Sequence, residues 1–368
     1  MPLTTVSQGL LSTDAQYTGF KNRLINGDMT FDQRNNGAAV TITNDTTVYT
    51  LDRWRFFENT DGVITAQQNT TAPAGFTNSL LVTVSTADTS IAAGQLAVVE
   101  QKIEGFNVAD LGWGTANAQT VTLSFWVRSS LTGTFGGSLR NSNDTRSYPF
   151  SYTINSANTF EYKTVTIAGD TSGTWNTTNG VGLHVTFGLA VGSNFLGTAG
   201  SWSGSNLQSA TGQANLLATI GNTFYLTGVQ LEKGSVATSF DVLPIGTELQ
   251  LCQRYFRTVG RGGAATPMSV QGAQYLDGNT IYLTYLADLT SMRALPTATL
   301  NGTANTDYAV YNSGFSPQTG FTFTLGVYQG FTGYQIQAGK SSHGLTNQPQ
   351  LYFGAVTSSG FVSLSSEL

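Results

Sequence analysis

The chain has 368 residues, enough for two or three domains, a net charge of −5, and only 10% Asp, Glu, Lys and Arg against 42 glycines and 11% aromatics. Its lysines are scattered and its arginines form no run, which excludes the clustered cations that grip a nucleic-acid backbone. A single cysteine, Cys252, excludes an internal disulfide and a thiolate metal cluster, and no apolar run approaches the roughly eighteen residues that a membrane-spanning helix needs.

Residues 1–20 are small, polar and weakly patterned, with no basic start or long apolar segment. They read as an arm or attachment segment ordered by packing on something else, not as a secretory signal. A short strand is expected at Arg23–Ile25, then a turn at Asn26-Gly27, since both residues tolerate positive φ. Short β runs between turns follow at 40–44, 48–58, 79–86, 93–103, 119–130, 147–154, 160–169, 181–190 and 223–234. The run 119–130 alternates most clearly, with Val121, Leu123, Phe125 and Val127 on one face and Thr122, Ser124, Trp126 and Arg128 on the other. Many short strands and Gly, Asn and Ser turns, without long helices between them, predict an all-β fold: an antiparallel two-layer sandwich over 21–245.

Residues 246–259 read as a helix or an extended link. As a helix they would be capped by Thr247, with Leu249, Cys252 and Phe256 on one face. Residues 260–368 predict a smaller C-terminal β-sandwich domain with strands near 279–287, 298–302, 307–314, 320–330, 331–339 and 350–358. After Arg293 only Asp307, Lys340 and Glu367 carry formal charge. This is either a surface that packs against copies of itself or a module covered in Ser and Thr.

Little in the chain points to catalysis. His184 and His343 have no metal-ligand partner at short spacing, and His184 lies inside an alternating strand. Asp28, Asp32 and Asp52 would suit a glycosidase pair, but Arg23, Arg34 and Arg53 beside them favour salt bridges or caps. No Gly-rich segment opens a helix after a strand, so no nucleotide loop is expected. Trp113, Trp175 and Trp202 lie in loops of small polar residues. They are candidate glycan contacts that stack on sugar rings, or else they pin their own loops or meet a neighbouring subunit. Trp54 and Trp126 lie in strong strands and are expected in the core.

Two segments, FKNRLINGDMTFDQRNNG with YTLDRWRF, and FYLTGVQLEKGSVATSFDVLPIGTELQLCQRYF, together resemble the start and end of a module of bacteriophage tail-fibre and other virion structural proteins. The module itself looks like the jelly-roll carbohydrate-binding modules joined to bacterial glycan hydrolases. The resemblance covers residues 20–257, with Asn26, Gly27, Asp52, Arg53, Gly228, Gln230 and Gly234 as its motif core. It implies a jelly roll, no required cofactor, and a structural calcium whose candidate ligands are Asp28, Glu232 and Asp241. It also implies a homotrimer in the virion that meets other tail, portal or capsid proteins and a host cell-surface glycan. On this reading the protein is not an enzyme. It is a tail fibre or tail-associated receptor-binding protein, with a purely structural adaptor or head fibre, and a glycan depolymerase, as alternatives. Trimeric display on a particle would add weak contacts through high effective concentration, and low surface charge would blunt the effect of salt.

Overall fold

Period-two alternation closes two six-stranded sheets over one shared core. The computed structural model describes residues 20–259 and then 267–268, 275–276, 280–285, 292–294, 296–302, 307–311, 317–318, 321–327, 334–340, 352–355 and 361–368. The expected N-terminal arm therefore lies, apart from Phe20, outside the described residues. The strands are β1 (Val40–Ile42), β2 (Thr46–Tyr49), β3 (Arg55–Glu58), β4 (Val63–Asn69), β5 (Ser79–Thr86), β6 (Leu96–Glu104) and β7 (Val121–Ser129). They continue with β8 (Gly133–Arg140), β9 (Ser147–Ile154), β10 (Glu161–Ile167), β11 (Val181–Val191), β12 (Leu196–Gly197), β13 (Ser209–Ala210) and β14 (Thr223–Lys233).

The first sheet has the order β1-β4-β5-β14-β7-β10 and the second β2-β3-β6-β11-β8-β9. Every pairing within them is antiparallel. This is the jelly-roll sandwich. The inward phase of β7 (Val121, Leu123, Phe125, Val127) meets Leu183, Val185 and Phe187 of β11 in one buried cluster, all at 0% exposure. Such burial of large apolar side chains contributes roughly 1.5–3 kcal/mol each.

Several sequence expectations need correction. Arg23–Ile25 forms no strand: the segment lies along β14 through isolated bonds, Arg23 N to Leu231 O (2.9 Å) and Val229 N to Gly27 O (2.9 Å). The run 48–58 is a hairpin, β2 and β3, whose turn holds Arg53 at φ 71° and is closed by Thr50 N to Trp54 O at 3.1 Å. Strands β4 and β8 were not expected. β8 is hidden by Gly133, Gly136 and Gly137, yet a Cβ at Gly137 would lie 2.1 Å from Thr186 O, so close strand packing requires the glycine.

Helix α1 (Ile245–Gln253) follows, and the division between two compact units falls after Glu248. Cys252 is buried on α1, but Phe256 opens a strand, Phe256–Val259, so the helix stops short of the expected face. Thr247 lies inside α1, where its N–H donates to Pro244 O, and is not its cap.

In the second unit the described strands form three small antiparallel sheets. One joins Phe256–Val259, Phe361–Ser365 and Thr297–Asn301. Two four-stranded sheets hold the other eight strands, among them the expected Thr280–Tyr285, Tyr308–Tyr311, Thr322–Val327, Tyr334–Gly339 and Tyr352–Ala355. The strand at Phe361–Ser365 had no counterpart in the sequence reading. Tyr308 stacks on Phe353 with centroids 5.1 Å apart, and Phe323 meets both. Among the described residues no helix is long and apolar enough to cross a membrane.

Candidate functional site

The outer face of the second sheet gathers charge that is sparse in the chain as a whole. Register sets it up. Glu100 on β6 lies opposite Arg55 of β3 and Thr186 of β11, and Lys102 lies opposite His184 of β11, which lies opposite Arg140 of β8. The alternate residues Val99, Ile103, Leu183, Val185 and Leu139 point into the core, so the charged set shares the outward face.

Glu100 is the hub. It accepts from Arg55, from Arg140 Nη2 at 2.8 Å and from Thr186 Oγ1 at 3.3 Å, and His184 Nδ1 lies 3.3 Å from it. Arg140 also pairs with Asp144 and reaches Asn206 Oδ1 at 3.4 Å. Burial alone would push the Glu100 carboxyl up, but His184, Arg140 and Arg55 outweigh it and hold it well below the ordinary carboxylate range. Burial pushes His184 down, against the opposing pull of Glu100, which favours the neutral imidazole. Burial, then the neighbouring Arg55, also lowers the pKa of Lys102.

These side chains floor the charged end of a groove of about 440 Å³. Its other end is apolar, lined by Phe57, Leu96, Val98 and Phe195, which pack with Val191 and Leu196. Asn206 and Gln208, from the segment around β12 and β13, form a wall. Gln208 Nε2 donates to Asn206 Oδ1 at 2.8 Å, while Gln208 Oε1 and Arg140 Nε are buried with no hydrogen-bond partner. A trough with an apolar side and planar amide and guanidinium groups suits a ring that has C–H faces and hydroxyl edges.

Sequence reasoning missed this site, although it singled out His184. The signal was there: in so charge-poor a chain, Glu100 and Lys102 stand two apart within a strand, with Arg55, Arg140 and His184 also in strands.

The three loop tryptophans do converge, but on one another. Trp113 meets Trp175 (4.8 Å) and Trp202 (5.3 Å) edge to face, and Trp175 meets Trp202 (5.5 Å). Each indole N–H donates to a backbone carbonyl, Trp113 to Gln119, Trp175 to Ser172 and Trp202 to Ala168. Trp113 is buried, and Trp175 and Trp202 are part-exposed against the core. The cluster pins three loops, and a ring edge or face of Trp175 or Trp202 is what it offers to solvent.

The motif residues form a clasp. Asn26 (φ 57°) donates through Nδ2 to the carbonyls of Phe31 and Asp52 and accepts from Phe31 N, while Trp54, wholly buried as expected, donates to Asn26 O. Gly27 lies against β14, where a Cβ would come 2.2 Å from Val229 O. Asp52 binds Gln33 and Arg34, and burial raises its pKa to about 6 against the opposing pull of Arg34. Asp32 caps Asn35 N and Gly37 N, so these acids serve as bridge and cap. Arg53 donates to Lys102 O, and the Gly234 carbonyl accepts from Thr122 Oγ1. Gln230 donates to Glu232 and accepts from Asp241 N.

The calcium candidates serve as acceptors too. Both Glu232 oxygens are taken, by Thr238 N (2.8 Å), Thr238 Oγ1 (2.7 Å) and Gln230 Nε2 (2.9 Å). Asp28 accepts from Thr30, and Asp241 from Asn22 N. Glu248 accepts from Asn26 N, and burial, with the charges of Asp28 and Asp241, raises its pKa. Among the described residues no three His, Cys, Asp or Glu side chains gather as a metal-ligand set.

The outer face of the first sheet is different. Trp126 is not in the core. It stands on that face, 5.3 Å from Tyr162, and with Phe76 and Phe240 lines an apolar hollow of about 490 Å³. The outward phase of β7 places it there.

No family model matches this sequence, and no curated protein matches it. Among solved structures the chain is similar to the enzymatically active domain of tailspike protein 4 of bacteriophage CBA120, at 13% identity and a TM-score of 0.30, over 58% of this chain and 21% of that one. It therefore spans about a fifth of the tailspike chain. It is also similar to a CBM4 structure (15% identity, TM-score 0.28, 57% and 98% of the two chains). A third similar structure is a family 11 carbohydrate-binding module from Clostridium thermocellum in complex with a β-1,3-1,4-mixed-linked tetrasaccharide (9%, 0.27, 54% and 98%).

Proposed function

We propose that this is a non-enzymatic saccharide-binding protein of a phage particle, a tail fibre or tail-associated receptor-binding protein that assembles as a homotrimer. The observation that carries saccharide binding is the half-apolar, half-polar groove on the second sheet. Its acids argue against hydrolysis. A general acid needs a raised pKa, whereas Glu100 is held ionised by its cations, and Asp144 is tied to Arg140. The virion role, the trimer and contacts with other virion proteins rest on the motif resemblance at residues 20–257.

The test is binding of the purified full chain to a panel of bacterial surface polysaccharides. Binding should fall at least about tenfold in Phe57→Ala and Asn206→Ala, and persist in Trp175→Ala. Binding that survives both groove changes and disappears with Trp175→Ala would move the site to the tryptophan loops. The mass of the native assembly and its position on intact particles test the virion reading; a monomer absent from particles rejects it. A second reading, a purely structural virion component, is favoured by the apolar hollow around Trp126. Silence across the panel, together with tight binding to a capsid, portal or tail protein, selects it.

A further inference from the structure

The groove holds one cation without an ion-pair contact. Arg55 and Arg140 both bind Glu100, and Arg140 also binds Asp144. Among the described residues the half-buried Lys102 ammonium has neither a hydrogen bond nor an ion pair. Three cations (Arg55, Lys102, Arg140) thus face two carboxylates (Glu100, Asp144) along the groove, with His184 held neutral. An unpaired ammonium beside two guanidinium groups loses hydration without recovering it from the protein. A single negative charge on a ligand would complete the set.

We propose that the groove takes an acidic oligosaccharide, one of whose singly charged carboxylates pairs with Lys102 at the charged end while another of its rings lies against Phe57 and Phe195 at the apolar end. This rests on the saccharide reading above and narrows it to a ligand class. A neutral sugar would leave Lys102 as it is, desolvated further and still uncompensated. The lowered pKa of Lys102 agrees, since burial and the neighbouring Arg55 outweigh the favourable pull of Glu100 and Asp144, and a further anion would offset them.

The experiment uses the full chain and matched probes. These are oligomers of galacturonate, of mannuronate and guluronate, and hyaluronan fragments, each beside its carboxyl-reduced neutral counterpart, measured by titration calorimetry. At least one uronate probe should bind about tenfold or more tightly than its reduced partner, the range of one charge-assisted hydrogen bond. Lys102→Gln should impose the same loss on the uronate and leave the reduced partner unchanged. Lys102→Arg should retain most of the affinity, and an unaltered circular dichroism spectrum and melting midpoint show that the fold survives. If reduced and acidic members bind alike and both fail with Phe57→Ala, the groove is a saccharide site and the acidic class is wrong. If neither set binds, this proposal and the saccharide reading fall together.

Discussion

The outer faces of the two sheets obey the same alternation and carry opposite chemistry. On the second sheet the outward positions hold Arg55, Glu100, Lys102, His184 and Arg140, and Arg55, Arg140 and His184 are tied around the Glu100 carboxylate. On the first they hold Trp126 and Tyr162, with Phe76 and Phe240 folded over a bulge at Gly228. The pleat decides only which residues point outward. Their identity decides whether the face is a wet, charged trough or an aromatic hollow. The charged face should therefore couple strongly to stability and pH, and the aromatic face weakly to both.

Glu100→Ala should give the largest effect, about 3–5 kcal/mol, because it strands buried cations without their partner. Denaturant titration read by tryptophan fluorescence measures it, since all five tryptophans lie before residue 249. A loss below about 1 kcal/mol would mean that the network is solvated and the comparison fails. The same carboxyl sets the pH response. Its folded pKa is depressed below the ordinary 4.5, so its contribution is fully present above that pH and drains away as pH falls further. Glu100→Gln should flatten that acid limb. Asp52 works the other way: with its folded pKa raised to about 6 from 3.8, stability declines as pH rises between these values. Asp52→Asn should remove that decline in a melting series from pH 4 to 7.

On the aromatic face, Gly228→Ala should cost about 1–3 kcal/mol, because φ is +60° and a Cβ would lie 2.7 Å from Phe76 Cζ. That is a backbone effect, local to the bulge. Tyr162→Ala, at a side chain 43% exposed, should change stability by no more than about 0.5 kcal/mol. A larger loss, by the same denaturant titration, would show that the hollow is structural and not available to a partner.

Much of the fold was legible. Strands such as β5, β7, β9 and β14 were read within a residue or two, because each is a run of apolar and β-branched or aromatic residues between turn residues. β8 was not, because its glycines serve close packing against Thr186 and Phe150 and leave no pattern of their own. The tryptophan loops drew attention because isolated aromatics among small polar residues stand out, but their partners are one another, across 62 and 89 residues of sequence (113 to 175 and 202). Arg55, Glu100, Lys102 and His184 were legible one at a time, as polar residues inside expected strands, and Arg140 was not, since it lies on β8. As a site they were not, since β3, β6, β8 and β11 come from separate parts of the chain.

The sequence by itself determined the sandwich and marked the residues of the motif clasp. Alternation and turn chemistry are local, and Asn26, Gly27 and Gly228 meet backbone demands that few other residues satisfy. Only tertiary structure decided where function could reside. Strand order and register set Arg55, Glu100 and Thr186 in one row and Lys102, His184 and Arg140 in the next. Such neighbours are fixed by long-range pairing, which no local pattern encodes.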